Sequence, residues 1–440
     1  MENRNIGRKI VGNKKPGIFN GQLFSVDTDE SMQISRRHKP DYWLLVFTIA
    51  LMLFGLILIF SISPALSITN NVSSNYFTYK QALADGLGFV AFFIALKIPI
   101  VWWKKMYKYL IGLAAITTAA AIALPVNPNY PAHRWVRLGS LSFQSVEIVK
   151  FAIIIWLAGF LGAQIKKGTI KNIKAVLIPL VSVLFILGII VVGIQSDLGS
   201  IGVITAAMIA MAYTAGFPLK RLSLIGLIIL AGAVLAIISS PYRLARVEAY
   251  IHPQTNCQGS GYQACQSLIA VGSGGIIGLG LGKTIQAYGY VPEASNDSIF
   301  AIYSEKFGFI GDFILIAIFF GFFYRIKLIA ESIEDSFLKL VVVGILIWLC
   351  TQTLINIGAM IGLFPLKGIT LPFISYGGTS IIFSAAAVGL VFEISRYTSL
   401  NSLSRTKTKK GISNESSFDR RRIRGAYHSR SIDSQSHQKN

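Results

Sequence analysis

Apolar runs of roughly twenty residues recur along most of this chain, and that repetition limits its fold more than any single motif does. About twenty apolar residues in a helix cross the hydrocarbon core of a bilayer. Inside lipid no water satisfies the backbone, so such runs are helices or parts of a closed barrel. Alternation with period two is absent from these runs, which leaves helices. Composition agrees. Only 14% of residues are charged, where a soluble domain carries roughly 25%. The reading is an all-α polytopic membrane protein with ten spans, at 42–63, 80–101, 107–126, 146–164, 174–194, 198–216, 221–240, 298–324, 337–360 and 374–396. The fifth and sixth spans meet in a tight turn around Gln195, Ser196 and Asp197.

Charge sets the expected orientation. Lysine and arginine cluster at 1–41, 104–108, 166–174, 220–221, 325–339 and 396–440, which are alternate connections plus both ends. Those stretches hold 31 of the 41 basic residues, so the positive-inside rule puts both termini in the cytoplasm. The formal net charge of +21 then reflects topology and two basic tails, and calls for no nucleic acid. Residues 1–41 lack an apolar signal core and read as a disordered basic cytoplasmic extension; residues 397–440 read as a matching tail. The run Arg420-Arg421-Arg422-Ile423-Arg424 suits either a solvated tail or contact with anionic lipid.

The long connection 241–297, between spans seven and eight, is expected outside the cell and is where chemistry would sit. It is rich in glycine (Gly272, Gly274, Gly275, Gly278, Gly280, Gly282), suited either to substrate approach or to tight re-entrant packing. Two of its arginines, Arg243 and Arg246, share one helical face by spacing and read as anion contacts or interface anchors. Glu147 and Lys150, three apart at the outer start of the fourth span, fit an ion pair between helices as well as substrate contact. Cys257 and Cys265, eight apart in the same outer connection, are a candidate disulfide, whereas Cys350 sits inside a span.

Six segments carry a specific resemblance. HRWVRLGSLSFQSVEIVK (133–150), QSDLGS (195–200), PYRLARVEAYIHP (241–253), GYQACQSLIAVGSGGIIGLGLG (261–282), YGYVPEASNDSIFAIYSEKFGFIG (288–311) and LPFISYGGTS (371–380) resemble, in order, blocks of the SEDS family of shape, elongation, division and sporulation proteins. The resemblance runs from the first span to Arg396, and the long N-terminal extension with the PEA and GSGYQ segments is most similar to the cell-division branch. It implies a ten-helix fold and a peptidoglycan glycosyltransferase in the bacterial plasma membrane, at the division septum. The implied substrate is the lipid-linked precursor lipid II. The implied partners are a class B penicillin-binding protein and other division proteins.

By this resemblance Asp297 falls on the family's catalytic aspartate, in Ser295-Asn296-Asp297-Ser298-Ile299-Phe300 where relatives carry an HTDFIF-like motif. The bland alternative is a helix N-cap. A carboxylate there would take the proton of an acceptor hydroxyl, a step worth about 10²–10⁴-fold. Arg134, Arg137, Arg243 and Arg246 would face a leaving pyrophosphate, and Trp135 would be an interface residue or a sugar-stacking surface. Glu147 and Lys150 match a cavity-lining pattern of the family, and Lys367 and Asp197 belong to the same class. Lys306 is expected to pair locally with Glu305 or Asp312. The donor is already activated as its pyrophosphate, so an inverting transfer needs no cofactor; a divalent cation at Asp297 stays open, with no histidines at ligand spacing. The rival readings are a lipid-linked precursor flippase, the elongation-type polymerase and a non-catalytic scaffold. The flippase shares the intramembrane charges but not the polar cluster on one outer connection.

Overall fold

The computed structural model describes residues 39–124, 133–138, 141–252, 257–259, 261–366 and 368–397. The two tails therefore lie almost wholly outside the described residues, as do Lys367 and the side chain of Arg137.

Helices occupy all ten expected spans. They are α1 (Tyr42–Asn70), α2 (Tyr76–Lys97), α3 (Ile100–Ala123), α4 (Ser145–Lys166), α5 (Ile173–Leu187), α6 (Leu198–Thr214), α7 (Leu219–Ile238), α10 (Ile299–Ser332), α11 (Ser336–Met360) and α12 (Gly378–Ile394). Eight of these, with α5 and α12 counted together with the short turns that continue them, are long and apolar enough to cross a membrane. The chain is an all-α polytopic membrane protein. At 17 residues α6 is shorter, and its partner α5 runs on as a π-helical turn, Gly188–Ile194. The tight turn falls where the sequence placed it. Ser196 adopts a left-handed φ of 55°, and Asp197 caps α6 by accepting from Ser200 N at 3.0 Å and Ser200 Oγ at 2.8 Å.

The connection 241–297 is not one loop. It holds an amphipathic helix, α8 (Pro241–Ile251), which starts on a proline whose missing N–H costs nothing at a first turn, and a second helix, α9 (Tyr262–Gly274). Cys257 and Cys265 form a disulfide that closes the segment between them, with Cα atoms 5.6 Å apart. A short antiparallel hairpin, β1 (Trp135–Leu138) with β2 (Leu141–Gln144), leads into α4; Gln144 N donates to Thr379 Oγ1 and ties it to α12.

Two glycines of 272–282, Gly274 and Gly278, serve packing. At Gly308 (φ 61°) α10 breaks, and Glu305 O and Lys306 O lose the amides of residues 309 and 310 as partners. The segment after α9 replaces them on both sides. Leu279 N and Gly280 N donate to Glu305 O and Lys306 O at 2.9 and 3.0 Å, while Phe309 N and Ile310 N donate to Gly275 O and Ile276 O at 2.9 and 3.1 Å. Glu305 O, Lys306 O, Phe309 N and Ile310 N are all paired again, as a buried backbone requires. Contact this close excludes side chains: a Cβ on Gly274 would lie 2.0 Å from Ser304 O, and one on Gly278 (φ 81°) 2.2 Å from Lys306 O. Lys306 does not pair with Glu305 or Asp312. Its Nζ reaches Leu281 O at 3.0 Å and Thr284 Oγ1 at 2.9 Å, while Asp312 accepts from Ser304 Oγ.

Candidate active site

Asp297 lies in a turn fixed from outside itself. The carbonyls of Ser295, Asn296 and Asp297 each accept one hydrogen bond, from Tyr376 N (2.8 Å), Ser375 Oγ (2.6 Å) and Asn356 Nδ2 (2.8 Å). The turn is also closed internally. Asn296 N and Ser298 N donate to Glu293 O, Ser298 Oγ donates to Pro292 O, and Glu293 sits at a left-handed φ of 52°. A non-glycine residue holds such a backbone only where its surroundings over-determine it.

The side chain of Asp297 is not a helix cap. The cap of α10 is Ser298, and no side chain bonds the first-turn amides there. The carboxylate instead points at the backbone of Gly368: a Cβ on that residue would lie 3.2 Å from Asp297 Oδ2 and 3.6 Å from Arg134 Nη1. The left-handed φ of 63° at Gly368 and this crowding keep the position open for the two charged groups. Loss of solvent, chiefly, and then the nearby Glu293 carboxylate push the Asp297 pKa up to about 7, with Asp197 adding to the rise and Arg134 and Arg246 opposing it. A carboxyl poised near neutrality suits general base work.

The arginines divide. Arg134 lies beside Asp297 and is braced by Gln195 O (2.7 Å) and Ser196 O (2.5 Å), the carbonyls at the α5–α6 turn. Arg246 approaches from α8, donating to Leu366 O at 3.2 Å. Arg243 Nη2 donates to Val192 O in the π-helical turn at 2.7 Å. The structure therefore brings Arg134 and Arg246 to Asp297 and leaves Arg243 bracing α8 against the end of α5. Arg137 pairs with Ser142 in the hairpin register.

Glu147 and Lys150 form a buried ion pair at 2.8 Å, each side chain 3% exposed. Lys150 Nζ also donates to Gln352 Oε1 at 2.8 Å, and its ammonium lies 5.2 Å from the Trp348 ring centroid. Gln352 in turn donates to Thr370 O, and one turn further along α11 Asn356 donates to Ile369 O as well as to Asp297 O. Residues 369–370 are thus anchored by two amides on one face of α11, and the ion pair reaches the Asp297 turn through them. Sequence reasoning missed Gln352, Asn356, Ser375 and Glu293. Gln352 and Asn356 did leave a signal, being two amides four residues apart within an apolar span. Among the described residues no three His, Cys, Asp or Glu side chains gather where one ion could be held.

The family of FtsW, RodA and SpoVE, described as cell cycle proteins, matches residues 42–400. The chain belongs to the FtsW/RodA/SpoVE family. Among relatives in this family, stage V sporulation protein E of Bacillus subtilis is 35% identical over 83% of this chain and 99% of its own length. The probable peptidoglycan glycosyltransferase FtsW of Coxiella burnetii is also 35% identical, over 81% of this chain and 96% of its own. Two solved structures share the fold. A chain from a peptidoglycan synthase complex that coordinates polymerization and crosslinking aligns with a TM-score of 0.63 at 23% identity, covering 81% of this chain and 98% of that one. The rod shape determining protein RodA of Thermus thermophilus aligns at 0.57 and 22%, covering 81% and 97%. The FtsW/RodA/SpoVE match begins at the first residue of α1 and ends just past α12, so it covers the membrane domain and neither tail.

Proposed function

We propose that this chain is a peptidoglycan glycosyltransferase that polymerises lipid II at the extracytoplasmic membrane face, within the septal machinery of cell division. The observation that carries the reading is the Asp297 carboxyl, clamped through its backbone from α11 and the 375–376 turn, held near neutral pKa and set between Arg134 and Arg246. Asp297 takes the proton of the acceptor sugar hydroxyl as its oxygen attacks the anomeric carbon of the donor. The bond from that carbon to the pyrophosphate breaks on the opposite face, so configuration inverts and undecaprenyl pyrophosphate leaves. Arg134 and Arg246 meet the charge that develops on the leaving group. No nucleotide enters, because the donor arrives activated. The alternation of basic connections supports an extracytoplasmic position for this end of the bundle. The name of the Coxiella relative supports glycosyl transfer into peptidoglycan, and a synthase complex that coordinates polymerization with crosslinking supports a crosslinking partner, which we take to be a class B penicillin-binding protein.

Asp297→Asn is nearly isosteric and leaves all three backbone clamps in place. Purified in micelles, with and without a cognate transpeptidase, the variant is expected to fold and to yield no glycan strands from lipid II, while the wild type polymerises. Micelles hold no transbilayer barrier, so polymer formed there is not transport. Wild-type polymer yield from folded Asp297→Asn would remove the base assignment.

A further inference from the structure

Three polar side chains inside the helical bundle take no part in the site described above. On α2, Gln81 is wholly buried and Asp85 is 7% exposed; on α12, Ser384 is wholly buried. Both ends of the Gln81 amide, Oδ1 of Asp85 and Oγ of Ser384 are buried without a hydrogen bond. Among the described residues no lysine, arginine or histidine pairs with Asp85. The three residues share one seam. Ala84 meets Gly378, Gly88 meets Ile381 and Ala385, and Phe92 meets Gly389, so α2 and α12 run parallel in close contact. Gln81 lies on that contact line, one turn before Asp85. Helical phase steps Asp85 and Ser384 off the line in opposite senses, which for two parallel helices facing each other is the same flank. The seam is shut at one end, where a Cβ on Gly389 would lie 2.5 Å from Phe92 O. Its other end meets the Asp297 turn: Phe77 packs edge-on against Tyr376, whose N–H clamps Ser295 O, and beside it Thr78 Oγ1 is a further buried hydroxyl without a partner.

Buried polar atoms are nearly all paired in native proteins, and a carboxylate within a membrane span is costly unless its charge is met. The acceptors left open here are all oxygens, from a carboxylate, an amide and a hydroxyl, a set that suits hard cations. A single carboxylate balances a single positive charge. A monovalent ion therefore leaves the seam neutral, whereas a divalent ion leaves a net charge in hydrocarbon. Water alone would pair the amide and the hydroxyl but leave the carboxylate unmatched. We propose that Gln81, Asp85 and Ser384 form a binding site for an alkali cation between α2 and α12, entered from the Asp297 end. The Gln81 amide nitrogen then donates to water that enters with the ion. The site stands apart from the transfer chemistry, and the inference holds whether or not the chain polymerises lipid II.

The test is thermal unfolding of the full chain in micelles. Sodium chloride and potassium chloride are titrated separately, each made up to constant ionic strength with choline chloride, whose cation is too large for the seam. The wild type is expected to gain about 2 °C or more in Tm, saturating, with at least one of the two alkali ions. Asp85→Asn is nearly isosteric and is expected to lose that gain. Ser384→Ala removes one ligand and is expected to need about tenfold more ion to reach half of it. No gain over choline with either ion in the wild type overturns the site, as does an undiminished gain in Asp85→Asn. If Asp85→Asn does not fold, Ser384→Ala decides, and a midpoint that stays at the wild-type concentration overturns the proposal.

Discussion

Loss of solvent raises the proton affinity at Asp297 most, and among the charges around it Glu293 raises it further than Asp197 does, against Arg134 and Arg246. In the role proposed for it, Asp297 takes a proton only when ionised. With a pKa raised to about 7, the rate of glycan synthesis is expected to climb with pH through neutrality rather than near the ordinary carboxylate range. Glu293 is one of the groups holding that value up, so Glu293→Gln removes a negative charge and is expected to move the acid limb of the rate profile to lower pH. A glutamine keeps a polar side chain for Asn296, whose amide now donates to Glu293 Oε2 at 2.5 Å, so the turn itself should survive. An acid limb that stays in place in Glu293→Gln would show that desolvation alone sets the base. The sequence made Asp297 legible because a motif surrounds it. The clamps on its backbone were not legible, since Asn356, Ser375 and Tyr376 lie 59 or more positions away along the chain. Glu293 stood inside a recognised segment, yet its position beside the carboxylate depends on a left-handed backbone that no pattern of residue types announces.

Helix packing gives the Glu147–Lys150 pair a structural role, and it yields two stability predictions. The pair is buried, and it joins α4 to α11 through Gln352. Lys150→Met would strand Glu147, whose Oε2 already lacks a partner, and is expected to destabilise the protein by about 3–5 kcal/mol. Glu147→Gln combined with Lys150→Met leaves no charge to strand and is expected to recover most of that loss in thermal unfolding in detergent. Polymer yield from the double variant then separates a tie between helices from substrate contact. The break in α10 offers the second case. Gly278→Ala places a Cβ 2.2 Å from Lys306 O at a backbone φ of 81°, so a loss of about 1–3 kcal/mol or more is expected from overpacking and backbone strain. Ala at Gly282, which has open space around it, should cost far less in the same unfolding assay. Hydrophobic run length made the spans legible, because lipid imposes that length directly. It could not show α8 and α9, which are short and sit beyond the apolar runs, nor the exchange of backbone bonds at Gly308, which joins segments some thirty residues apart.

Across the whole molecule, the alternation of basic connections and the disulfide make the same claim about sidedness by unrelated physics. Basic connections favour the cytoplasmic side by charge, and the orientation proposed above puts the α8–α9 end on the other side. A disulfide persists where the surroundings are oxidising, which for a bacterial membrane protein is also that other side. Cys257 and Cys265 close the short segment that leads into α9. Closing so short a loop stabilises it by roughly 2–3 kcal/mol in the chain-entropy account. The check is differential alkylation of intact cells with a membrane-permeant thiol reagent. Cys257 and Cys265 are expected to take no label until a reductant is added, and after reduction to be reached by an impermeant reagent as well. Both steps are needed, because resistance before reduction shows the bond and impermeant labelling afterwards shows the side. Labelling of both residues without reductant would deny the bond. Impermeant reagent failing to reach them after reduction would place this end of the bundle in the cytoplasm, and with it the Asp297 turn, where a polymerase of extracytoplasmic wall could not work.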